Sequence, residues 1–162
     1  MLAFAPVTYF REEQRFRDSW LWLVIAIPMA FALWAVLVTP RAPVSAAIAV
    51  VGVAVAVGAL VGLAHLETTV TAEAVIVKFH GLWPTRRIKL GDIAEYAPMR
   101  YTIWDSGGWG VHFGLAGLTY NVSGNEGVHF RLENGSQVLV GSRRSAELTS
   151  AIAKAMAAHR SA

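Results

Sequence analysis

Five histidines are the side chains of this sequence best suited to acid–base or metal chemistry: His65, His80, His112, His129 and His159. No two of them lie at a spacing that places two imidazoles together on one local element, so a zinc site has no support from the sequence. His112 and His129 could be neighbours if their strands are adjacent. The sequence has no cysteine, which removes thiolate ligands, a thiol nucleophile and structural disulfides. We therefore expect no metal and no cofactor.

The serine, carboxylate and glycine motifs of common enzymes are also missing. Ser123 and Ser142 lie outside any G-x-S-x-G elbow, and no Walker sequence occurs. Asp105 and Glu126 could form an acid–base pair with a histidine, but no spacing selects them. The stretch Gly107–Gly110 follows no βα pattern and is therefore not a dinucleotide fingerprint. The sequence predicts a protein without enzymatic activity.

Two loops concentrate the residues best suited to binding another protein. One runs from Trp104 to Gly110 and combines glycines with two tryptophans, and the other runs from Tyr120 to Gly127 and is rich in turn-forming residues. Either these are tight turns with tryptophans that cover a barrel mouth, or they form one recognition surface. Tryptophan and arginine are common hot-spot residues at interfaces. In the second case the candidate partner-binding residues are Trp109, Asp105, Asn121, Asn125 and Arg143.

Two long apolar runs dominate the first part of the chain. Neither the run from Trp20 to Val38 nor the run from Ala46 to Ala64 contains a charged residue. Each has close to the ~20 residues needed to cross a hydrocarbon core, and neither has the polar face of a soluble helix. The first run starts too late and lacks a cleavage site, which argues against a secretory signal. The sequence predicts two transmembrane helices.

The loop between these runs predicts an antiparallel hairpin. Pro40 and Pro43 end the first helix and force a turn, so both termini are expected on one side of the membrane. Of the 14 Lys and Arg residues, the loop holds only Arg41, the segment before the hairpin holds three, and the part after it holds ten. Because basic residues favour the cytoplasmic side, we expect a two-pass inner-membrane protein with both termini in the cytoplasm.

The two predicted spans differ in the size of their side chains. Pro28 is expected to kink the bulky first helix. In the second helix Ala54, Gly58 and Gly62 repeat at four-residue spacing, which lets another helix approach closely. That face either packs against the first helix or contacts a second copy or a partner's helix. Neither span contains an ionisable group that would mark an ion path, which argues against a channel or transporter.

Residues 1–19, before the first span, are predicted to form an amphipathic juxtamembrane segment. Within it, the stretch from Tyr9 to Ser19 favours a helix, because Glu13 and Arg17 are four residues apart and can pair. Such a helix would lie at the lipid headgroups or pack against the C-terminal domain.

The composition changes after the hairpin region, 20–65, and the part over 66–162 predicts a mainly β domain. Short alternating segments are separated by turns, and Asn134-Gly135 is the strongest hairpin signal. Ser145 is expected to cap a final helix that runs to about His159. The predicted strands are Leu66–Thr71, Ala74–His80, Arg86–Leu90, Ala94–Ile103, Trp109–Phe113, Leu118–Val122, Gly127–Glu133 and Gln137–Gly141.

This order of strands and helix resembles the pleckstrin-homology-like (PH-like) fold. The stretch Arg86–Ile93 (RRIKLGDI) resembles an element of bacterial PH-like domains that follow paired membrane helices. The chain as a whole resembles a family of small bacterial membrane proteins, and the matching stretches are Glu12–Trp22, Gly107–Gly114, Thr119–Phe130 and Gly141–Leu148. The resemblance implies a membrane α-helical hairpin plus an α+β domain, a PH-like antiparallel barrel or sandwich of about seven strands closed by a C-terminal helix. It implies no activity.

The distribution of charge limits the ligands. The loop Thr71–Glu73 joins the first two predicted strands and is short and acidic, whereas PH domains that bind phosphoinositides place basic residues there, so phosphoinositide binding is not expected. The scattered basic residues and a net charge of +3 argue against nucleic acid. Arg87 and Lys89 could touch anionic lipid headgroups, or they could lie on a solvated strand face.

These observations favour a non-enzymatic, membrane-anchored adaptor. Its PH-like domain would bind a protein partner at the cytoplasmic face of the membrane, and its hairpin would anchor or oligomerise it. The alternative is a ligand-binding or enzymatic subunit with a pocket where the domain meets the bilayer. That pocket would require His112, His129 or Asp105 in a convergent arrangement.

Overall fold

A computed structural model of the chain describes residues 7–16, 19–81, 83–102, 110–114, 117–122 and 124–161. The chain forms two compact units, one over residues 16–64 and one that combines residues 1–15 with 65–162. We call them the apolar hairpin and the β domain. The elements in chain order are β1 (Thr8–Arg15), α1 (Ser19–Val38), α2 (Val44–Leu63), β2 (His65–Thr71), β3 (Ala74–His80), β4 (Trp83–Lys89), a 3₁₀ turn (Leu90–Asp92), β5 (Ile93–Arg100), β6 (Gly110–Gly114), β7 (Gly117–Asn121), β8 (Glu126–Leu132), β9 (Gln137–Gly141) and α3 (Ser145–Arg160).

The apolar hairpin consists of α1 and α2, which begin and end within two residues of the predicted spans. Each has 20 residues, and both are long and apolar enough to cross a membrane by length and composition. Pro28 lies inside α1 without ending it. No described side chain of α2 is buried, so much of the apolar surface of this helix faces its surroundings.

The segment before α1 is a strand, and the prediction of a juxtamembrane helix was wrong. In β1 the residues Phe10, Glu12 and Gln14 are buried while the residues between them are exposed, which is the two-residue period of a strand. Glu13 pairs with Arg15, 2.8 Å away, and Arg17 lies outside the described residues. Pairing with β2 overrides the helix propensity of the Glu, Gln and Arg residues. The first residues therefore belong to the β domain.

The first sheet has the order β1-β2-β3-β4 and is antiparallel throughout. Arg15 lies opposite His65, which in turn lies opposite His80. The chain thus leaves this sheet for the apolar hairpin and returns to it at two directly paired residues. The inward residues of β2 and β3 are nearly all apolar, and Leu66 and Val77 are fully buried.

The second sheet has the order β5-β8-β9-β7-β6, in which β7 and β9 run parallel and the other pairs antiparallel. Gly135 adopts a φ of 81° in the turn between β8 and β9, which confirms the predicted hairpin at Asn134-Gly135. Strands β2 to β9 all agree with the prediction to within three residues. Among the described strands the two sheets do not close into a barrel.

The C-terminal helix α3 buries one face against the sheets. Leu148, Ile152 and Ala155 are fully buried, as their spacing predicts. The prediction that Ser145 caps this helix was wrong, because Arg144 occupies the cap position. The Ser145 hydroxyl instead donates to Oε2 of Glu126 on β8 over 3.0 Å, which ties the start of the helix to the second sheet.

Candidate functional site

The predicted partner-binding residues do not form one surface in the described part of the chain. Trp109 and Asp105 lie outside the described residues. Asn121 ends β7 with 1% of its surface exposed, so the expectation that its amide reaches a partner at the surface was wrong. Beside it, burial raises the pKa of the Tyr101 hydroxyl to about 12, and the Asn121 side chain acts in the opposite direction. Asn121 therefore contributes to a polar interior.

Asn125 and Arg143 lie on neighbouring segments of the surface. Both are exposed, and a methyl group added at Gly124, next to Asn125, would lie 4.0 Å from Cγ of Arg143. The Asn125 carbonyl accepts a hydrogen bond from the backbone N–H of Tyr101 at 2.9 Å. This hydrogen bond holds the turn before β8 in place.

Strand β1 carries a buried carboxylate that sequence reasoning missed. Glu12 on β1 is 7% exposed. Its Oε2 accepts a hydrogen bond of 2.5 Å from the hydroxyl of Ser142, and its Oε1 accepts one of 3.0 Å from the backbone N–H of Arg143. The charge-assisted bonds compensate for part of the cost of burying the carboxylate. They fix β1 to the end of β9.

A second buried side chain of β1 strengthens the same connection. Gln14 donates from Nε2 to the carbonyl of Gly141 over 2.8 Å. The Ser142 hydroxyl accepts from the backbone N–H of Arg144 over 3.0 Å. Because Glu12 and Gln14 lie 127 to 131 positions from their partners in sequence, no local motif could have indicated these contacts. We call the set Glu12, Gln14, Gly141 and Ser142 the buried polar network.

A cleft of about 420 Å³ lies between β1 and α3, next to the buried polar network. One wall is the start of β1, and the other is a single face of α3, where residues recur at helical spacing. Arg144 lies over the ring of Phe10, with its guanidinium carbon 5.2 Å from the ring centroid. The cleft is lined by Thr8, Tyr9, Phe10, Arg11, Arg144, Glu147, Ser150, Ala151 and Lys154.

The cleft carries more positive than negative charge. Arg144 donates two hydrogen bonds to Glu147, which lower the pKa of the Glu147 carboxyl. Arg11 pairs with Glu67, 2.9 Å away on the exposed face of β2. Lys154 has no ion-pair partner among the described residues. Three cations and one carboxylate thus line the cleft, which suits an acidic ligand.

The histidines are arranged differently from the prediction. His112 lies on β6 and His129 on β8, which β9 and β7 separate. They are therefore three strands apart, roughly 14 Å across the sheet, and they are not neighbours. Burial lowers the pKa of His112. The idea that these two imidazoles share a site was wrong.

Instead, His65 and His80 stack across the hairpin of β2 and β3. Their ring centroids are 4.1 Å apart with an interplanar angle of 13°. Nε2 of His80 lies 3.1 Å from Oε2 of Glu67, and this hydrogen bond is the main cause of the lowered pKa of Glu67. The described residues contain no group of three or more potential metal ligands. His65 and His80 lie about equally far in sequence from the β2–β3 turn, so antiparallel pairing places them opposite each other. This symmetry is the signal that sequence reasoning missed.

The candidate helix-packing residues face α1 within the apolar hairpin. Methyl groups added at Gly58 and Gly62 would lie 4.0 Å and 3.7 Å from the Trp22 ring. Ala54 lines an apolar groove of about 320 Å³ between the two helices, together with Met29. The small-residue face therefore receives a large side chain from within the same chain, as one of the two interpretations expected.

The candidate lipid-headgroup residues lie on the outer face of β4. Arg87 and Lys89 are exposed while Ile88 is buried, as the alternation predicts. Arg87 forms an ion pair with Glu73 at 2.6 Å. Lys89 lies opposite Ala74, at the end of the first sheet away from the strand ends that continue into the apolar hairpin.

The chain matches no model of a known protein family, and no curated protein matches it. The resemblance to small bacterial membrane proteins therefore stays a prediction.

Proposed function

We propose that this protein is a non-enzymatic, membrane-anchored adaptor. The apolar hairpin spans the cytoplasmic membrane, and the β domain, a PH-like module, binds a protein partner at the cytoplasmic face. The mostly antiparallel sheets and the packed C-terminal helix support the PH-like assignment.

The observation that carries this proposal is the insertion of the apolar hairpin between two paired strands. Three residues separate Arg15 from the start of α1, and Ala64 alone separates α2 from His65. Chain segments this short span at most about 14 Å. A hairpin that crosses a bilayer would therefore hold the β domain at one face of it, where a partner can be recruited.

The arrangement of the histidines favours the adaptor over the enzymatic alternative. That alternative required His112, His129 or Asp105 in one pocket. His112 and His129 are three strands apart, whereas the described cleft beside β1 is a mixed apolar and charged surface of the kind that binds peptides.

Orientation can be tested with single cysteines, since the chain has none of its own. In intact cells, a Thr39→Cys variant in the loop should react with a membrane-impermeant maleimide. A Ser161→Cys variant should react only after the cytoplasmic side is made accessible. Labelling of Ser161→Cys in intact cells would overturn the cytoplasmic assignment.

Recruitment can be tested by removing the apolar hairpin. Because Arg15 and His65 are paired, residues 16–64 can be replaced by an Asn-Gly turn. The full chain and this hairpin-free form should co-purify with the same protein. The partner should be enriched in the membrane fraction only with the full chain. A full chain that retains no protein after cross-linking would contradict the adaptor function.

A further inference from the structure

Strand β1 is an edge strand that has a strand neighbour, β2, on one side only among the described strands. Along such an edge the outward backbone N–H and C=O groups can pair with another chain. The register shifts between Thr8 and Phe10, so a bulge at Tyr9 interrupts the regular edge at its start. From Phe10 to Arg15 the edge is regular and can accept a further strand.

The cleft described above adjoins this edge. Its floor at Phe10 is apolar and 6% exposed, and Arg144 covers it from the α3 side. Glu147, Ala151 and Lys154 lie on one face of α3 at helical spacing, and Arg144 immediately precedes the helix. A strand added to β1 would thus direct alternate side chains toward a helix face that carries charge.

The charges that line the cleft favour an acidic ligand. Arg11 and Arg144 are each engaged by a carboxylate of this chain, whereas Lys154 has no ion-pair partner among the described residues. An acidic side chain could bind Lys154 without breaking an existing ion pair. Glu67 and Glu147 offset Arg11 and Arg144, so Lys154 is the cation of the cleft that would attract an acidic side chain and repel a basic one.

We propose that the cleft between β1 and α3 binds an extended, acidic peptide segment of a partner protein, which adds to β1 as a strand and places a carboxylate at Lys154. Only a polypeptide supplies both the backbone groups that an open edge requires and a side chain for the helix face. This proposal rests on the adaptor function and assigns its binding site and partner chemistry.

The test uses the full chain in lipid nanodiscs and a displayed library of random short peptides. Enriched peptides should be rich in Asp, Glu and strand-forming residues. Their binding should weaken about tenfold in Lys154→Glu, since reversing a charge replaces an attraction by a repulsion. Lys78→Glu is the matched control, because Lys78 is an exposed lysine on β3 of the same sheet and does not line the cleft. It should bind as the unchanged chain does.

Hydrogen exchange distinguishes strand addition from a purely electrostatic contact with α3. A bound peptide should slow the exchange of backbone amides between Phe10 and Arg15. Absence of enriched peptides, binding that is insensitive to Lys154→Glu, or unchanged exchange in β1 would each overturn the proposal. Protection of β1 that grows with protein concentration without peptide would identify a second copy as the occupant and would also overturn it.

Failure of this proposal can be separated from failure of the adaptor function. If the Lys154→Glu chain still brings its partner to the membrane fraction as fully as the unchanged chain does, the cleft is not the binding site but the adaptor function stands. If the unchanged chain retains no partner, the adaptor function itself fails.

Discussion

The apolar hairpin and the β domain use the same apolar residue types in opposite ways. Among the residues that the structure describes, every buried apolar side chain except that of Ala64 belongs to the β domain. In the apolar hairpin, large residues such as Phe31 and Leu37 expose more than 60% of their surface. An aqueous solvent would penalise that exposure and a hydrocarbon environment would not. The exposed side chains of the apolar hairpin are therefore of the kind that suits a hydrocarbon environment.

The glycines of the two units also differ in what surrounds them. Methyl groups added at Gly58 and Gly62 would make ordinary contacts with Trp22. In the β domain, a methyl group at Gly127 would lie 2.4 Å from the carbonyl oxygen of Val140. Glycine makes room for a neighbouring side chain in the apolar hairpin, and it permits close backbone approach in the β domain.

Replacing Gly127 by alanine should have the largest effect, because the new methyl group meets backbone that cannot move aside. We expect the free energy of unfolding of the hairpin-free form to fall by about 3 kcal/mol or more, measured by urea denaturation. Gly58→Ala in the full chain, assayed by thermal aggregation in detergent, is the control and should change little. If both substitutions destabilised their units equally, glycine would not have different roles in the apolar hairpin and the β domain.

Truncating Glu12 to alanine should come next. The hydroxyl of Ser142 and the N–H of Arg143 would lose their buried acceptor, at a cost of about 2 kcal/mol. Urea denaturation of the hairpin-free form measures the loss. Glu73→Ala removes an exposed carboxylate and should cost less than about 1 kcal/mol. If both changes cost the same, the buried polar network does not hold β1 in place.

Replacing Trp22 by alanine should loosen the apolar hairpin and leave the β domain unchanged. Contacts between membrane helices are individually worth about 1 kcal/mol. Met29 and Ala54 line the same groove, and cysteines at these two positions report on how closely the helices pack. In the Trp22→Ala chain they should form a disulfide about fivefold more slowly. A Val53→Ala change, at an exposed position of α2, should leave the rate unaltered.

The smallest effect is expected from acid. The hydrogen bond with His80 and the charge of Arg11 lower the pKa of Glu67. Because the pKa of Glu67 is lowered in the folded state, its ionised carboxylate stabilises the fold fully above the ordinary pKa of 4.5. This stabilisation is lost as the pH falls through the pKa of the folded state. The hairpin-free form should therefore lose about 0.5 kcal/mol more on acidification than its Glu67→Gln variant. Parallel pH profiles of the two would contradict this.

The sequence was most informative where structure depends on local pattern. Continuous apolar runs define α1 and α2, and β3 and β9 begin and end at the predicted residues. Strand β1 escaped prediction because two of its inward residues, Glu12 and Gln14, are polar and because its partner β2 lies beyond the apolar hairpin. Neither fact is visible in a short window of sequence.

The candidate site depended almost wholly on contacts that are distant in sequence. Asn121 was expected at the surface because asparagine favours turns, yet the end of β9 covers it: a methyl group added at Gly141 would lie 3.0 Å from its Cβ. The cleft joins residues 8–11 to residues 144–154. The pairing of β1 with β2 and the hydrogen bonds of the buried polar network hold these two segments side by side.

The position of the apolar hairpin between β1 and β2 has a consequence for biogenesis. The ribosome makes β1 before the helices and its partner strand after them, so the first sheet cannot be completed until both helices have been synthesised. If one helix alone crossed the bilayer, β1 and β2 would emerge in different compartments and Arg15 could never meet His65. In the membrane arrangement proposed above, the first sheet can therefore be completed only in chains that have inserted with the correct topology. A misinserted chain would expose unfolded strands to quality-control proteases.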